Sequence, residues 1–302
     1  MATVAELLNK GKCHSDTFGG ALGAETSKGC ATLITAAKTI VLIAPGAELK
    51  KDAELYSEID RLMLAGKMEI LRGVQNFEQN GSDDATETLP DDTMRITNEG
   101  KYAFTASFTN GLFFNKALHS LKGYKRWTVA LVDANGIYGV ETETGLRGFT
   151  TGMFQPVKLT FPSPTSGQQE GIRFQFLERY ELDEDYGFIM DSGIRKLKGI
   201  TELKLTLVNE PLAADTTVTA KVVLAMDESV AYEGATFEDF TLDANGAPKN
   251  PTAGDDSATA GTYVLTVPAL AAEDDLVLKM PIHKGPDGDY YKASGVSYSI
   301  PA

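Results

Sequence analysis

The residues from Lys101 to Tyr186 constrain the fold most, because strand patterns and turn signals alternate through them. Between Tyr102 and Phe108, apolar residues alternate with small or polar ones, which is the period of a half-buried strand. Trp127–Val132 is apolar on both faces and predicts a central strand. Asn135-Gly136 offers two residues that tolerate positive φ, which predicts a type I′ hairpin turn leading into Ile137–Val140.

The same stretch predicts a second hairpin and a short helix. Val157–Phe161 and Ile172–Leu177 have strand composition and are expected to pair across the turn Pro162–Gly171. Asn110 and Gly123 bracket the predicted helix, since Asn favours helix starts and Gly favours helix ends. Four apolar residues share one face of that helix: Phe114, Ala117, Leu118 and Leu121.

The residues before this stretch add short elements. Thr3 and Glu6 have capping-box spacing, which predicts a helix through Leu8. Thr39–Ala44 and Met68–Val74 read as buried strands. Asp52 is expected to cap a helix that runs to Ala65, with one apolar face made of Leu55, Ile59, Leu62 and Met63.

Three polar segments flank these elements. Residues 11–36 are rich in Gly, Ser, Thr and Ala and predict a long irregular segment. Residues 78–99 carry seven acidic side chains against the single base Arg95 and predict an acidic loop, and residues 178–191 carry six acidic side chains against Arg179. Long loops of this kind are usually functional or become ordered against a partner.

The pattern resets near Thr201, where six short strands follow one another between turns and acidic loops: Leu203–Leu207, Val218–Ala225, Phe237–Leu242, Thr262–Val267, Leu276–Met280 and Val296–Ile300. Such spacing is typical of a β-sandwich. The sequence Asp-Ala-Asn-Gly occurs at both Asp133–Gly136 and Asp243–Gly246, which we interpret as one turn solution used twice. The predicted fold is mainly β with short helices (α+β), with a β-barrel or sandwich domain at 1–199 and a β-sandwich at 200–302 that resembles immunoglobulin-like domains.

Charge and composition limit the function. Net charge is −14, and residues 200–302 hold 16 acidic and 6 basic side chains, so a surface that grips nucleic-acid phosphates is not expected. The N-terminus lacks the pattern of a signal peptide, and the longest apolar run, Ile40–Ala44, is too short to span a bilayer. We therefore expect synthesis in the cytoplasm and no membrane partner.

No residue pattern predicts catalysis. His14, His119 and His283 lie in different elements, and Cys13, His14 and Cys30 lack zinc-ligand spacing and a fourth ligand. Ser27-Lys28 does not have the order of a phosphate-binding loop. The acidic pairs around Glu184 and Gly288 lack the ligand spacing of a calcium loop. The sequence predicts no enzyme, no cofactor and no metal.

The order of motifs between Phe104 and Tyr180 resembles virion structural proteins of tailed phages and prophages of Bacteroidetes-type hosts. The resemblance rests on a strand, a short helix, a Trp-led apolar strand with Asp133–Gly136, the loop Gly148–Gly152 and the turn Gly167–Gly171. It covers residues 13–190, and within this group we favour the tail tube protein. Such proteins have a small β-barrel or sandwich flanked by a helix, an arm that reaches a neighbour, and often an outer immunoglobulin-like domain.

The resemblance implies stacked hexameric rings in a virion tail, with sheet edges joined into one barrel around a channel that DNA passes through without specific binding. Other tail proteins would be further partners. Six carboxylates near the second hairpin are the expected lumen lining: Glu170, Glu178, Glu181, Asp183, Glu184 and Asp185. An acidic lumen would repel DNA phosphates. Residues 11–36 and 78–99 are expected to bridge adjacent rings, the latter through Asp83, Asp84, Glu87, Asp91 and Asp92.

Two other functions remain open at this point. A capsid protein, major or decorating, would also self-assemble, although the common shell fold needs a helix longer than the predicted Asp52–Ala65. A surface- or glycan-binding protein would use the 201–302 domain, where Tyr290-Tyr291 and Tyr298 are the only aromatic candidates.

Overall fold

The computed structural model describes residues 2–11, 35–122, 127–163, 167–191, 193–256 and 259–301. Strands hold 46% of the residues and helices 13%, which confirms the mainly β class with short helices. The chain forms two compact units, Met1–Leu62 with Lys67–Lys198 and Met63–Gly66 with Gly199–Ala302. Most of the segment predicted to be irregular at 11–36, with Cys13, His14 and Cys30, lies outside the described residues.

Up to Lys198 the chain builds thirteen strands and four helices within the described residues. In chain order these are α1 (Val4–Gly11), β1 (Thr39–Ile43), β2 (Leu49–Lys50), α2 (Leu55–Leu64), β3 (Met68–Arg72), β4 (Asn76–Gln79), β5 (Ala85–Thr88), β6 (Met94–Asn98), β7 (Ala103–Phe108), α3 (Leu112–Ser120), β8 (Thr128–Val132), β9 (Ile137–Glu141), β10 (Gly145–Arg147), β11 (Phe149–Thr160), β12 (Gln169–Phe176), α4 (Tyr180–Asp183) and β13 (Tyr186–Ile189).

One branched sheet organises this unit. Its main path runs β2-β10-β9-β8-β11-β12-β7-β4, with β1 between β3 and β8 and with β13 beside β9. All five residues of β8 are buried, as predicted for a central strand. The core under the sheet is rich in phenylalanine: the rings of Phe149 and Phe176 stack with centroids 4.6 Å apart, and Phe104 lies 5.2 Å from Phe176. Buried aromatic pairs of this kind dominate core energetics.

The helix predictions are correct in position but not always in capping. Thr3 and Glu6 form the expected reciprocal bonds, with Glu6 N donating to Thr3 Oγ1 and Thr3 N to a Glu6 carboxylate oxygen. Asp52 does not cap α2, which begins three residues later, at Leu55. The backbone before α2 bonds instead to the start of α1, where Val4 N donates to Ala53 O. The predicted apolar face of α2 is buried.

Helix α3 is more exposed than its apolar pattern predicted. Leu118 is its only fully buried residue, while Phe114 is half-buried and Ala117 is exposed. Asn110 does not act as the helix cap, because its side-chain amide donates to the Arg72 carbonyl. A buried carboxylate from β12 holds the backbone just before the helix: Glu170 accepts hydrogen bonds from the backbone amides of Asn110 and Gly111. The chain is therefore held to the sheet just before α3, and Leu118 packs the later part of the helix into the core.

The repeated tetrapeptide forms two different turns. At 243–246, Asn245 has φ 50° and Gly246 has φ 79°, which fits a two-residue type I′ hairpin. At 133–136 neither the Asn nor the Gly has positive φ, so the type I′ prediction is wrong there. Gly136 is needed for another reason, since a Cβ at this position would clash with the carbonyl oxygen of Ile189 on β13.

Asp133 holds the first of these turns together from a buried position. Its carboxylate accepts from the backbone amides of Thr35, Asn135 and Gly136 at 2.7–3.0 Å, and from the Thr35 and Tyr138 hydroxyls. Burial opposes ionisation of Asp133, but these hydrogen bonds outweigh it and keep its pKa below the ordinary value. The Asp133 side chain, which is 1% exposed, therefore stabilises this turn in place of the type I′ backbone conformation that the sequence predicted.

After Lys198 the described residues, 199–256 and 259–301, form eight strands: β14 (Ile200–Leu207), β15 (Thr217–Leu224), β16 (Thr241–Ala244), β17 (Ala247–Pro248), β18 (Ala253–Asp256), β19 (Thr262–Thr266), β20 (Asp275–Lys284) and β21 (Tyr290–Ser299). They are connected in the order β17-β16-β20-β21-β14-β15-β19-β18. The pairing is antiparallel except between β14 and β21, which run parallel. The predicted strand at Phe237–Leu242 is half right: Phe237–Asp239 is a short 3₁₀ turn because Thr236 and Asp239 form a capping box.

Candidate functional site

The part of the first sheet formed by β11, β12, β7 and β4 ends in two open edges. Among the described strands, β4 pairs only with β7. Strand β11 pairs with β8 through Phe149 and Thr150 only, and from Thr151 onward it pairs with β12 on one side. The other edge of β11, from Gly152 to Thr160, therefore faces no described strand. Open edges present unpaired backbone donors and acceptors, which are templates for another chain.

The residues of the β11 edge suit a covered surface better than a solvated one. Met153, Phe154, Val157 and Leu159 are apolar and half-exposed. The strand also contains Pro156, a residue that sheets tolerate at edges. Because the edge offers both backbone bonding groups and apolar side chains, pairing with a further strand would satisfy the first and bury the second.

The two open edges have opposite directions. Each of the pairs β11–β12, β12–β7 and β7–β4 is antiparallel, so β4 runs against β11. If copies related by rotation stand side by side, the β4 edge of one meets the β11 edge of the next in antiparallel orientation. The alternation of strand direction then continues without interruption from copy to copy, which is the condition for closing a head-to-tail ring.

A hairpin of residues 85–98 stands where an acidic loop was predicted at 78–99, and residues 78–79 belong to β4. Within the part of the chain that the structure describes, β5 and β6 pair only with each other, in a separate two-stranded sheet, and all nine of their residues are exposed. Alternation along β6 places Met94 and Ile96 on one face, opposite Thr88 and Thr86 of β5. Met94 is 71% exposed and Ile96 55%. An isolated two-stranded hairpin is marginally stable in water, so this one is a candidate for completion by a partner.

A narrow neck joins this hairpin to the sheet. The two chains pass so closely that a Cβ on Gly81 would clash with the Lys101 carbonyl, and one on Gly100 would clash with the Ser82 carbonyl. Asp84 accepts from the Gly100 amide at 2.8 Å and pairs with Arg179 at 2.6 Å. The cleft beside the neck measures about 240 Å³, which is below the range of ligand pockets.

Arg179 connects the neck to α4. Its Nε donates to Asp183 at 2.7 Å, and the Tyr102 hydroxyl donates to the same carboxylate at 2.6 Å. Partial burial opposes ionisation of Asp183, but the bonds from Tyr102 and Arg179 outweigh it and hold its pKa below the ordinary value. Asp183 is therefore ionised at neutral pH, and its carboxylate binds both Tyr102 and Arg179 beside the neck.

Two of the six carboxylates predicted to line a lumen are buried inside the subunit, and that part of the prediction needs correction. Glu170 is 2% exposed and holds the start of α3. Glu181, also 2% exposed, accepts from Arg147 Nη2 at 2.7 Å and from Thr150 N at 2.6 Å. Neither side chain is presented to solvent, because each satisfies donors of its own fold.

The other predicted carboxylates lie off the sheet. Glu178, Asp183, Glu184 and Asp185 are exposed, but they belong to the segment around α4, after β12 has ended. The solvent face of the four-stranded part carries mainly neutral residues, with Gln155 beside Arg173 and Arg173 beside Thr105 across the strands. Glu78 stands opposite Thr105 on the same face. One base and one acid make this face nearly neutral, so the predicted lumen acids do not come together on it.

The five acids predicted to bridge rings all belong to the hairpin or its neck. Asp83 is exposed at the neck, and Asp84 is bound to Arg179. Glu87 pairs with Arg95 at 3.3 Å across β5 and β6. Asp91 and Asp92 form the turn, where Asp91 Oδ1 accepts from the Thr93 hydroxyl and amide. Those bonds hold the pKa of Asp91 below its ordinary value.

Comparison with known proteins adds no family. No protein-family model matches the chain, and no curated protein is significantly similar to it. Within the described residues, no helix is long and apolar enough to cross a membrane, and no three His, Cys, Asp or Glu side chains are grouped so that they could hold a metal ion.

Proposed function

We propose that this chain is a self-assembling virion structural protein, the subunit of a phage tail tube. Copies form rings by joining the β4 edge of one to the β11 edge of the next, and rings stack around a channel for DNA. The observation that carries the proposal is the pair of open edges with opposite direction at the two ends of the β11-β12-β7-β4 sheet. The motif order described above supports the choice of tube.

The size of the channel follows from strand counting. Each copy contributes four strands to the barrel, so six copies contribute 24. With a strand spacing of about 4.8 Å and a tilt of about 40°, a 24-stranded barrel is about 48 Å across between backbones. Side chains that point inward from opposite sides of the barrel narrow the channel, and the remaining bore admits a DNA duplex. Five or seven copies would give about 40 or 56 Å by the same geometry.

The channel wall in this proposal is polar and nearly neutral, in place of the acidic lining first expected. A wall that offers Gln155, Thr105 and a single Arg173 per copy has few cations for phosphates to bind. Non-specific DNA affinity grows with the number of phosphates that cations neutralise. Such a lining lets DNA slide almost as well as an acidic one.

Helix length favours a tube over a capsid shell. The longest helix in the described part of the chain, α2, has ten residues. The common shell fold of tailed phages is expected to need a long spine helix, which these residues do not form. A second compact unit of eight strands, such as the one after Lys198, suits an outer decoration in either case.

The test is electron microscopy and sedimentation of the purified chain, with one variant that blocks an edge. Asn80 N donates to Ala103 O, so by antiparallel alternation the amide of Gln79 points away from β7. Gln79→Pro removes that outward donor without removing a bond inside the subunit, and Gln79→Ala is the matched control. We expect long tubes for the unmodified chain and for Gln79→Ala, and no rings or tubes for Gln79→Pro. Closed shells, or a stable monomer of the unmodified chain, would refute the proposal.

A further inference from the structure

Charge is segregated sharply between two neighbouring segments of the first unit. Residues 78–99 carry seven acidic side chains and one basic one. The next segment, residues 100–132, carries five basic side chains and no acid, in a chain whose net charge is −14. Residues 144–169 also contain no acid and two bases, Arg147 and Lys158. The acidic segment includes the β5–β6 hairpin, and the two acid-free segments include α3 and β11.

The hairpin has a face suited to docking. Met94 and Ile96 stand on it with Thr86 and Thr88, and none of the four is charged. The opposite face carries the Glu87–Arg95 ion pair. The turn at the tip adds the carboxylates of Asp91 and Asp92. The hairpin therefore offers an apolar strip next to a negative tip.

A complementary surface exists at the exposed side of α3. Leu112 is 60% exposed, Phe113 56% and Phe161 76%, and these are large apolar side chains. They belong to one end of the sheet, because Thr160 pairs with Gln169 and the next residue, Glu170, holds the amides before α3. The exposed charges here are those of Lys116 on α3, Lys122 just after α3 and Lys158 on β11. This surface, which we call the α3 face, is apolar with a positive rim.

We propose that the β5–β6 hairpin of one copy docks on the α3 face of a second copy. This rests on the proposed self-assembly and names the partner surface for the hairpin. Met94 and Ile96 bury against Leu112 and Phe113, while the tip carboxylates meet Lys116 and Lys158. In a single copy both the hairpin strip and the α3 face are exposed, so the occupant of each comes from outside that copy.

The physics of the contact explains features that isolated folding does not. Burying the apolar strip against a second surface gives the marginally stable hairpin the packing partner that an isolated two-stranded sheet lacks. Opposite charges on the two rims steer the encounter and set its orientation, and they make association weaker at high salt. The closed neck at Gly81 and Gly100 presents the hairpin in one direction, so less conformational freedom is lost on docking.

The experiment separates donor from acceptor in a Gln79→Pro background, where edge joining is blocked. The donor-deficient chain carries Met94→Ser and Ile96→Ser, and the acceptor-deficient chain carries Phe113→Ser. Leu212→Ser, at 57% exposure, is the matched control for Phe113. Sedimentation velocity is measured on each chain alone and on an equal mixture. We expect each deficient chain to need a protein concentration at least about tenfold higher to associate, the control to behave as its parent, and the mixture to regain association but stop at pairs.

Several results would overturn the docking: deficient chains that associate like the parent, a mixture that does not recover, or a control that loses as much as Phe113→Ser. If the Gln79→Pro chain does not fold, carbodiimide cross-linking of the assembled wild-type chain replaces it, with ¹⁵N-labelled and unlabelled copies mixed. Cross-links from Asp91 or Asp92 to Lys116 should join labelled to unlabelled peptides. Their absence, while other inter-copy cross-links form, contradicts the proposal.

The outcomes also separate docking from the tube. Tubes that form unchanged when the strip and Phe113 are altered refute docking and leave the tube in place. Copies that pair through the hairpin but never form tubes refute the tube and leave docking in place. Loss of tubes in Gln79→Pro with retained hairpin pairing supports both.

Discussion

Truncating Glu181 should destabilise the first unit strongly, although the sequence suggested that this residue faces a channel. Its carboxylate accepts from Arg147 Nη2, Thr150 N and Thr150 Oγ1 at 2.6–2.8 Å, and its side chain is 3% exposed. In Glu181→Ala the Thr150 amide loses its acceptor, at about 1–3 kcal/mol, and a charge-assisted bond to Arg147 is lost as well. Arg147 keeps its bonds to Gly148 O and Thr150 Oγ1. We therefore expect a net loss of about 3 kcal/mol.

The assay is urea unfolding followed by tryptophan fluorescence. Trp127 is the only tryptophan of the chain and is buried in the first unit, so it reports on this unit alone. For a unit of this size, about 3 kcal/mol corresponds to a fall of about 6–12 °C in the thermal midpoint. Glu184→Ala is the control, because Glu184 lies three residues further along and is exposed. A free energy of unfolding for Glu181→Ala within about 0.5 kcal/mol of wild type, or an equal loss in Glu184→Ala, would refute a structural role for the buried Glu181 carboxylate.

Three more predictions follow from the same unit and its neighbour. Asp133→Asn should lower the free energy of unfolding by about 2 kcal/mol at pH 7. Because the pKa of Asp133 is depressed in the folded state, the difference from wild type should shrink as the pH falls below about 4. A difference that does not change with pH would contradict this. Gly136→Ala should destabilise the protein more than Gly246→Ala, because a Cβ at position 136 would clash with the Ile189 carbonyl while position 246 has open space. The loss of about 1 kcal/mol expected for Gly246→Ala comes from its positive φ alone. Equal losses measured by calorimetry would count against this prediction. Arg179→Ala should speed amide hydrogen exchange in the β5–β6 hairpin while leaving the thermal midpoint of the first unit nearly unchanged, because exposed ion pairs contribute little to stability. Unchanged exchange would show that the neck does not depend on this ion pair.

Local features of the sequence predicted local structure well. The Thr3–Glu6 capping box and the apolar face of α2 depend on contacts three or four residues apart, and both are present in the structure. The hairpin of β11 and β12 also forms, but its predicted pairing is wrong: the residues from Ile172 to Phe176 pair with residues 151–156, and Val157 pairs with Gly171, which was predicted to lie in the turn. In each case the pattern and the interaction lie within the same short segment.

Features that depend on distant residues were not predictable. Glu170 meets the amides of Asn110 and Gly111 across sixty residues of chain, and nothing near Glu170 in the sequence distinguishes it from an exposed acid. The turn at Asp133 was predicted to be type I′ because Asn-Gly tolerates that conformation. In the structure β13 lies against Gly136, and Asp133 binds the Thr35 amide, so the turn has a different conformation. The side chain of Asp133 then supplied the turn.

The sequence of the β5–β6 hairpin contains a strand pattern that its many acidic residues obscured. Ala85–Thr88 and Met94–Asn98 alternate in the strand period, and Pro90 and Asp91 between them are turn residues. Counting acids across 78–99 favoured a solvated loop and hid this pattern. Exposed apolar residues at alternate positions are the feature that distinguishes a docking strand from a solvated one.

The most direct test of the central claim is a cryo-electron microscopy reconstruction of the assembled chain. The account predicts a continuous β-barrel in which β4 of each copy lies antiparallel to β11 of the next, about 48 Å across between backbones for six copies. A reconstruction in which either edge remains unpaired, or in which copies contact one another only through the unit after Lys198, would contradict it.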